Sequence, residues 1–394
     1  MRKVSALVIG GGASGIVAAI SAKRAGSSVM VCEKMPRLGK KILASGNGRC
    51  NLSNESLDES AYNPASRPLV REVLQKFSKC DIIKFFNNLG LLVYSDEGRI
   101  FPVTNQSSSV LKVLEMELDR LKIPLQSNFE VSSVTHSGQD FIVRSASGEK
   151  MFCDNVILAS GANSYPALGS DGSGYPIAKH FGHSIVAPVP VCVPVVVKDP
   201  FCHLLQGQKI SAGAKVVIGS TVAAAATGDL LFTKYGLSGT AILDISEEVS
   251  ISLNRRGMKQ VNIDVDMAPF MSDEELRKEI ERRVRGNFSI EEMLAGILPN
   301  KFSAAFAGVL KTRRADLITN SIKSKIFNVT GTRGWNEAEF TAGGIDTGEV
   351  LPTLESKFRE GLYFAGEVLD VDGKRGGYNL AWAWASGFVS GLTG

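Results

Sequence analysis

The chain has 394 residues, 44 Lys and Arg against 40 Asp and Glu for a formal net charge of +4, with 44% apolar and 21% charged residues. That length accommodates roughly two to three domains around a large core, and so small a net charge makes no case for nucleic acid or an anionic membrane as the main partner. Six scattered cysteines without a C-x-x-C pair and only four histidines exclude a metal centre and a redox dithiol from the expectations, and the absence of any run of 18 apolar residues predicts a cytoplasmic protein with free thiols and no membrane partner.

Residues 4–9 are an apolar run of strand length leading straight into Gly10-Gly11-Gly12-Ala13-Ser14-Gly15, a G-x-G-x-x-G match at Gly10, Gly12 and Gly15. Gly10 is expected to allow the tight turn, Gly12 the approach of a pyrophosphate, and Gly15 close packing of the next helix. That helix, over 16–25, ends at Gly26 and aims its first N–H groups, with Ala13 and Ser14, at the phosphates. A strand over 28–32 then delivers Glu33, followed by Lys34, to the hydroxyls of an adenosine ribose. A carboxylate there repels the 2′-phosphate of NADP, which leaves FAD or NAD.

The loop over 39–51 gathers Lys40, Ser45, Gly46, Gly48, Arg49, Cys50 and Asn51, small and cationic groups suited to a wall of the cofactor site. Cys50 beside Arg49 reads in the first place as a small buried cysteine. A helical pattern over 70–90 follows, then strands over 91–94 and 99–103, and a helix over 108–121 that closes before Pro124. A ribbon over 129–134 and 141–145, with Ser137-Gly138-Gln139-Asp140 as its turn, carries Val131 past the expected adenine edge. The buried strand over 156–159 empties into Ala159-Ser160-Gly161, small residues that permit backbone approach to a ligand. His180 and His183, on and just after a helix over 175–180, lack a carboxylate nearby and read as structural or solvated.

Beyond Pro188-Val189-Pro190 the texture changes to short strands over 191–197, 214–221, 230–233, 241–245 and 260–264, the pattern of a small barrel or sandwich. Capping-box sequences at Ser272 to Glu275 and Ser289 to Glu292 open two helices, and with stretches over 304–310 and up to Ile322 they form a helical module. Its arginines at 282–285 and 311–314 are interleaved with acids and read as solvated helix faces, so nucleic acid is not the expected partner. Strands return over 326–330 and 339–345, making the helices an insert within an insert.

The C-terminal stretch repeats the opening logic, with an apolar strand over 361–364 ending in Ala365-Gly366-Glu367. Gly376-Gly377-Tyr378-Asn379-Leu380 then leads into a helix over 381–391. Glu367 is expected to hold a ribityl chain, and the glycine-led helix start to face the pyrimidine end of a flavin ring, where its dipole favours the anionic reduced form. A second half-site of this kind selects FAD over NAD. Without a second glycine fingerprint, NAD(P)H is expected only as a transient reductant in an interdomain cleft.

The segments 39–54, 98–102, 232–243, 341–348 and 361–387 together resemble the BaiN/YhiN-type family of bacterial NAD(P)/FAD-dependent oxidoreductases, which is related to aminoacetone oxidase. The resemblance implies an α/β protein: a discontinuous Rossmann-type FAD-binding domain at 1–190 and 346–394, a β-barrel substrate domain at 191–268 and 325–345, and a helical domain at 269–324. Lys234 stands where the family often has histidine, Thr240 where it has proline, and Ala381 where it has glutamine, departures that bear on the substrate. The implied reaction passes a hydride between flavin N5 and a small organic substrate in the cleft between the FAD domain and the barrel. Asn51, Arg99, Tyr235, Thr341 and Tyr378 are the catalytic candidates, with Asn379 beside them. Reduction of an enone-like double bond with NAD(P)H and peroxide-releasing oxidation of a small amine both fit. An FAD-dependent RNA-modifying or RNA-binding protein, using the arginine clusters, is the reading from another class. No pattern in the chain specifies an oligomeric state.

Overall fold

The computed structural model describes residues 3–138 and 140–394, the side chain of Thr393 apart, so Gln139 of the expected ribbon turn lies outside the described residues. Its contacts divide the chain into two units, Met1–Pro188 with Glu339–Gly394, and Val189–Ala338.

The first unit is built on a seven-stranded sheet. The apolar strands Val4–Ile9, Val29–Cys32 and Lys150–Leu158 lie side by side in parallel, with Val4–Ile9 in the middle, as near-continuous hydrophobic runs buried on both faces do. The register aligns Ile9 with Cys32 on one side and with Leu158 on the other. Lys150–Leu158 has two partners on its far edge. Asp140–Ser145 runs antiparallel to its first half and continues into Val131–Ser137, whereas Leu362–Phe364 runs parallel to its second half, with Phe364 opposite Leu158. Four strands thus end at one level, and Gly10, Glu33, Ala159 and Ala365 emerge together at the carboxyl edge, where open α/β sheets bind their ligands.

The helix after the first strand, Ala13–Arg24, is buried from Ser14 to Ala22. It can be so because the C-terminal helix, Tyr378–Thr393, presents glycines to it. A Cβ on Gly387 would lie 2.3 Å from the carbonyl oxygen of Ser14, and one on Gly391 the same distance from that of Ala18. Trp382 and Trp384, both buried, donate their indole N–H groups to the carbonyls of Gly366 and Leu52 at 3.1 Å. The pattern over 70–90 resolves into two helices, Arg67–Lys76 and Lys79–Asn88. Ser78 separates them by forming a reciprocal capping box with Asp81, which restarts the helix in a new direction. His183 is buried between Phe358 and Phe364 in a structural position, with Nε2 2.6 Å from Ser356 Oγ; contrary to the expectation of no carboxylate nearby, the fold brings Glu349 Oε2 to 3.3 Å from its Nδ1.

The second unit contains a closed six-stranded barrel of Val195–Val197, Gly236–Ser238, Thr221–Thr233, Lys209–Ile218, Asn262–Asp266 and Lys325–Thr332, in that order round the ring. The helices Asp273–Arg285 and Ala315–Lys323 share one hydrophobic cluster with it. Phe302 and Phe306 meet the barrel-side rings of Phe201 and Phe232 at centroid distances of 5.1 to 6.5 Å.

Three expectations change here. Residues 241–245 are not a strand. Thr240–Leu243 makes a helical turn, pinned by the Asp229 N–H donating to Thr240 Oγ1 at 2.9 Å. At Ser289 the capping-box bonds to Glu292 form, yet no helix follows, because Gly296 at φ +76° and Pro299 turn the chain away. Phe340–Ile345 is not a barrel strand. Val195–Val197 pairs with Lys325–Thr332 and closes the ring, leaving no edge, and Phe340–Ile345 pairs instead with Ile185–Val191 and belongs to the first unit.

Candidate active site

The carboxyl edge of the first unit's sheet opens into a cavity of about 390 Å³, lined from Gly10 to Ser14, by Glu33, by residues of the loop from Gly39 to Arg49, by Ala159 to Gly161, and by Arg375, Gly376, Gly377, Asn379 and Leu380 of the turn into the C-terminal helix. A smaller recess of about 40 Å³ shares Gly10, Glu33, Ser160 and Gly169 with it. Lys34, Phe129 and Val131 line that recess, so two of the expected adenosine-side residues sit in it and not in the main cavity.

The three fingerprint glycines answer to three constraints. Gly10 has φ +108°, and a Cβ on it would lie 2.4 Å from the Ala159 carbonyl oxygen. A Cβ on Gly15 would come within 1.9 Å of the Gly10 carbonyl oxygen. Gly12 caps the helix with an extended backbone, and a Cβ there meets nothing within 4 Å. The protein itself places no demand on Gly12, so the space before it is left for a ligand at the positive helix end.

Glu33 turns its carboxylate toward this loop. Oε2 accepts the Gly11 N–H at 2.6 Å and Oε1 the Met35 N–H at 2.7 Å. Each oxygen keeps a further lone pair, enough for the two hydroxyls of a ribose. Glu33→Ala is expected to weaken FAD binding roughly 10- to 150-fold, the loss of about 1.5–3 kcal/mol of charged hydrogen bonding. Titration of the apo-protein with FAD checks this, and an unchanged dissociation constant would refute the role.

A second carboxylate, Glu367, is held from three sides. Its Oε1 accepts the Thr341 N–H at 2.9 Å and the Ser164 hydroxyl at 2.7 Å, while Oε2 pairs with Lys41, whose ammonium also meets Ser164 Oγ. Neither Lys41 nor Ser164 is among the cofactor residues expected from the sequence. Lys41 sits in the loop over 39–51, but only the fold brings it across to Glu367. Nearby, Asn51 Oδ1 is buried without a hydrogen-bond partner among the described residues and lies 2.7 Å from where a Gly377 Cβ would be. A buried acceptor left open in a cavity wall calls for a donor from a ligand.

Of the five catalytic candidates, Asn51 and Arg99 line the cavity. Thr341 is buried behind it and serves Glu367 through its backbone. Tyr378 is not a lining residue, since its ring meets Tyr62 edge-on at 6.2 Å, and the Tyr62 hydroxyl donates to its carbonyl. Tyr235 belongs to the second unit, its ring 4.6 Å from the Arg333 guanidinium.

Among the expected cofactor residues, Lys40, Ser45, Gly46, Asn379 and Leu380 line the cavity. Arg49 does as well, stacked 4.0 Å over Phe101 and bonded to Tyr94, Asn105 and Asp96. Asn379 spends its amide on the Gly373 N–H and carbonyl, so it shapes the turn. Gly15, Gly48 and Gly366 do not line the cavity, and Gly366 is there to let Ser14 approach, a Cβ on it falling 2.4 Å from Ser14 Oγ. Cys50 lies fully buried away from the cavity at φ +59°, its thiol pushed up to about 12 by burial, which makes it inert.

These features fit FAD: an open phosphate cradle at a helix start, a free pair of carboxylate lone pairs beside it, a second anchored carboxylate, and an unpaired acceptor at the start of another helix. Among the described residues no group of three or more His, Cys, Asp or Glu could hold a metal ion, and no helix is long and apolar enough to cross a membrane.

Comparison with known proteins agrees with this arrangement. Residues 4–393 match the family described as the HI0933-like protein Rossmann domain. The chain is 39% identical to the 3-dehydro-bile acid delta(4,6)-reductase of Clostridium scindens, over 98% of this chain and 97% of that protein. It is 30% identical to the ribosomal RNA dihydrouridine synthase of Escherichia coli, over 99% of this chain and 97% of that protein. Among solved structures, the 3-ketosteroid delta1-dehydrogenase of Sterolibacterium denitrificans superposes with a TM-score of 0.52 at 14% identity over 99% of both chains, a likeness of fold.

Proposed function

The chain belongs to the HI0933-like family of Rossmann-domain proteins and is an FAD-dependent oxidoreductase, and from that premise we propose that it reduces a carbon–carbon double bond conjugated to a carbonyl in a small organic substrate, with NADH or NADPH as reductant. The carrying observation is the single cavity that unites the phosphate cradle at Gly12 with Glu367, Asn51 and the start of the C-terminal helix. The choice of substrate class is supported by the relative at 39% identity, whose name specifies a reductase acting on a 3-dehydro-bile acid.

Bound FAD supplies the two-electron redox chemistry. The chain's own groups bind and orient. The free amides from Gly12 to Ser14 and the helix dipole would hold the pyrophosphate, the Gly10 and Gly11 N–H groups being spent on the Cys32 carbonyl and Glu33, and Glu33 would accept the ribose hydroxyls. Glu367, fixed by Lys41, Ser164 and Thr341, would present the one remaining lone pair, on Oε2, to a polyol chain. Asn51 Oδ1, the open acceptor, would take an N–H of the ring, and Phe101 and Trp382, which line the same cavity, would help to exclude water.

The test is anaerobic reduction of FAD-loaded protein with NADH and with NADPH, followed by addition of a 3-oxo-4,6-diene steroid acid. The expected result is return of the oxidised flavin spectrum with a product two hydrogens heavier. If no conjugated carbonyl compound reoxidises the protein and a small amine releases peroxide in air, amine oxidation replaces this reading.

Reduction of uridine in RNA is the second reading, favoured by the dihydrouridine synthases at 30% and 31% identity. The arginine clusters give it little support. Arg282 is bidentate with Glu279, Arg314 is bonded to Asp316, and Arg283 is buried, tying Glu279 to the carbonyls of Glu292, Met293 and Ala295. A test by neutralising the cluster must therefore spare Arg283, whose loss would unlatch that turn.

A further inference from the structure

We propose that Arg99 is a specificity-determining residue that binds an anionic group of the substrate, a carboxylate or a similar oxyanion. The inference rests on the reductase reading above for the site, and on three observations for the residue.

The first is placement. Arg99 opens the strand Arg99–Pro102, directly opposite Asn54 and Asp96 in its neighbours. Asn54 donates to the Gly376 carbonyl at 2.9 Å, and a Cβ on Gly376 would lie 4.0 Å from Arg99 Nε. The side chain thus lies along the glycine turn that starts the C-terminal helix, half-buried in the cavity wall.

The second is charge. That wall holds Arg99 and the positive end of a 16-residue helix with no acid in its first turn. A cation beside a helix N-terminus is disfavoured unless an anion joins them. Asp96, the cross-strand neighbour, is bonded to Arg49, and among the described residues no carboxylate forms an ion pair with Arg99.

The third is what the other cations do. Lys41 is paired with Glu367 and Arg49 with Asp96. Lys40 adjoins Gly39, whose N–H bonds the Gly11 carbonyl, and so belongs with the phosphate cradle. Arg37 and Arg375 line the cavity as well, Arg375 being engaged within the chain; Arg99 faces the cavity at the opposite glycine turn, with a planar fork suited to a carboxylate.

The test uses FAD-loaded protein and the visible difference spectrum of its flavin. Inorganic sulfate and a 3-oxo-4-ene steroid carboxylic acid are expected to give saturable changes, the acid binding more tightly than its methyl ester. Arg99→Gln should weaken sulfate and acid at least 10-fold, abolish the preference for acid over ester, and leave flavin content and melting temperature unchanged, with Arg99→Lys intermediate. Four outcomes overturn the proposal: no saturable response to sulfate or acid in the wild type, an Arg99→Gln protein that binds both as the wild type does, equal weakening of acid and ester, or loss of FAD in place of anion binding. A wild type that binds the anions through Arg99 yet reduces no conjugated carbonyl keeps the anion site and rejects the reductase reading.

Discussion

Glu367→Ala is expected to lose FAD and to lower the melting temperature of the apo-protein as well. The carboxylate is the shared acceptor for a lysine, a hydroxyl and a backbone amide, and alanine strands all three. Breaking a fully buried pair costs about 3–5 kcal/mol. Lys41 and Glu367 retain 29% and 19% side-chain exposure, so water can replace part of what is lost, and about 1–3 kcal/mol is the expected cost to the apo-protein. Glu367→Gln keeps an acceptor for the Thr341 amide but removes the charge facing Lys41, and should fall between. Thermal melts without flavin separate this structural part from the effect on FAD affinity. An alanine variant matching the wild type in both would remove Glu367 from the site.

Gly15→Val and Gly12→Ala should diverge, although both alter the same motif. A branched side chain at Gly15 drives into the Gly10 carbonyl, which is backbone and cannot swing aside, and it approaches Ala159 Cβ as well. The helix must move off the sheet, at about 1–3 kcal/mol or more, and Gly10 moves with it. The expected protein melts several degrees lower and purifies without flavin. Gly12→Ala instead enters open space with an allowed extended backbone, so the apo-protein should stay within about 1 kcal/mol of the wild type while FAD affinity falls at least tenfold. The ratio of flavin to protein absorbance and flavin-free melts distinguish the two. Equal loss of stability in both variants would show that Gly12 is a packing position and not the ligand's.

The first thirty residues were legible because everything that shapes them is local. A strand, a glycine turn and a helix in one unit carry their periodicities within a few turns of chain, and the acid follows at the next strand end. The Lys41–Glu367 pair was not legible, since 326 positions separate its members and nothing in either neighbourhood names the other. Tyr378 lies outside the cavity lining for a related reason. Which face of a helix a residue occupies depends on the helix's phase, and here the phase is set where Gly377 presses against the Ser53 carbonyl, a contact made at long range. The barrel hairpin Lys209–Ile218 with Thr221–Thr233 extends beyond the expected strands over 214–221 and 230–233, since alanines at 223–226 erase the alternation that marks a strand. Phe340–Ile345 has a strand's composition, and only the closure of the ring elsewhere decides that it pairs outside the barrel.

The backbone-to-backbone fit of Gly387 and Gly391 against the opening helix has a consequence for how the protein comes into being on the ribosome. Val189–Ala338 is a continuous stretch whose barrel can close while later residues are still being added. The opening strand and helix wait, their buried face uncovered, until the helix at 378–393 has left the exit tunnel. The fingerprint is translated early and its packing completed late, and until then the apolar face of the opening helix is the surface a chaperone would find.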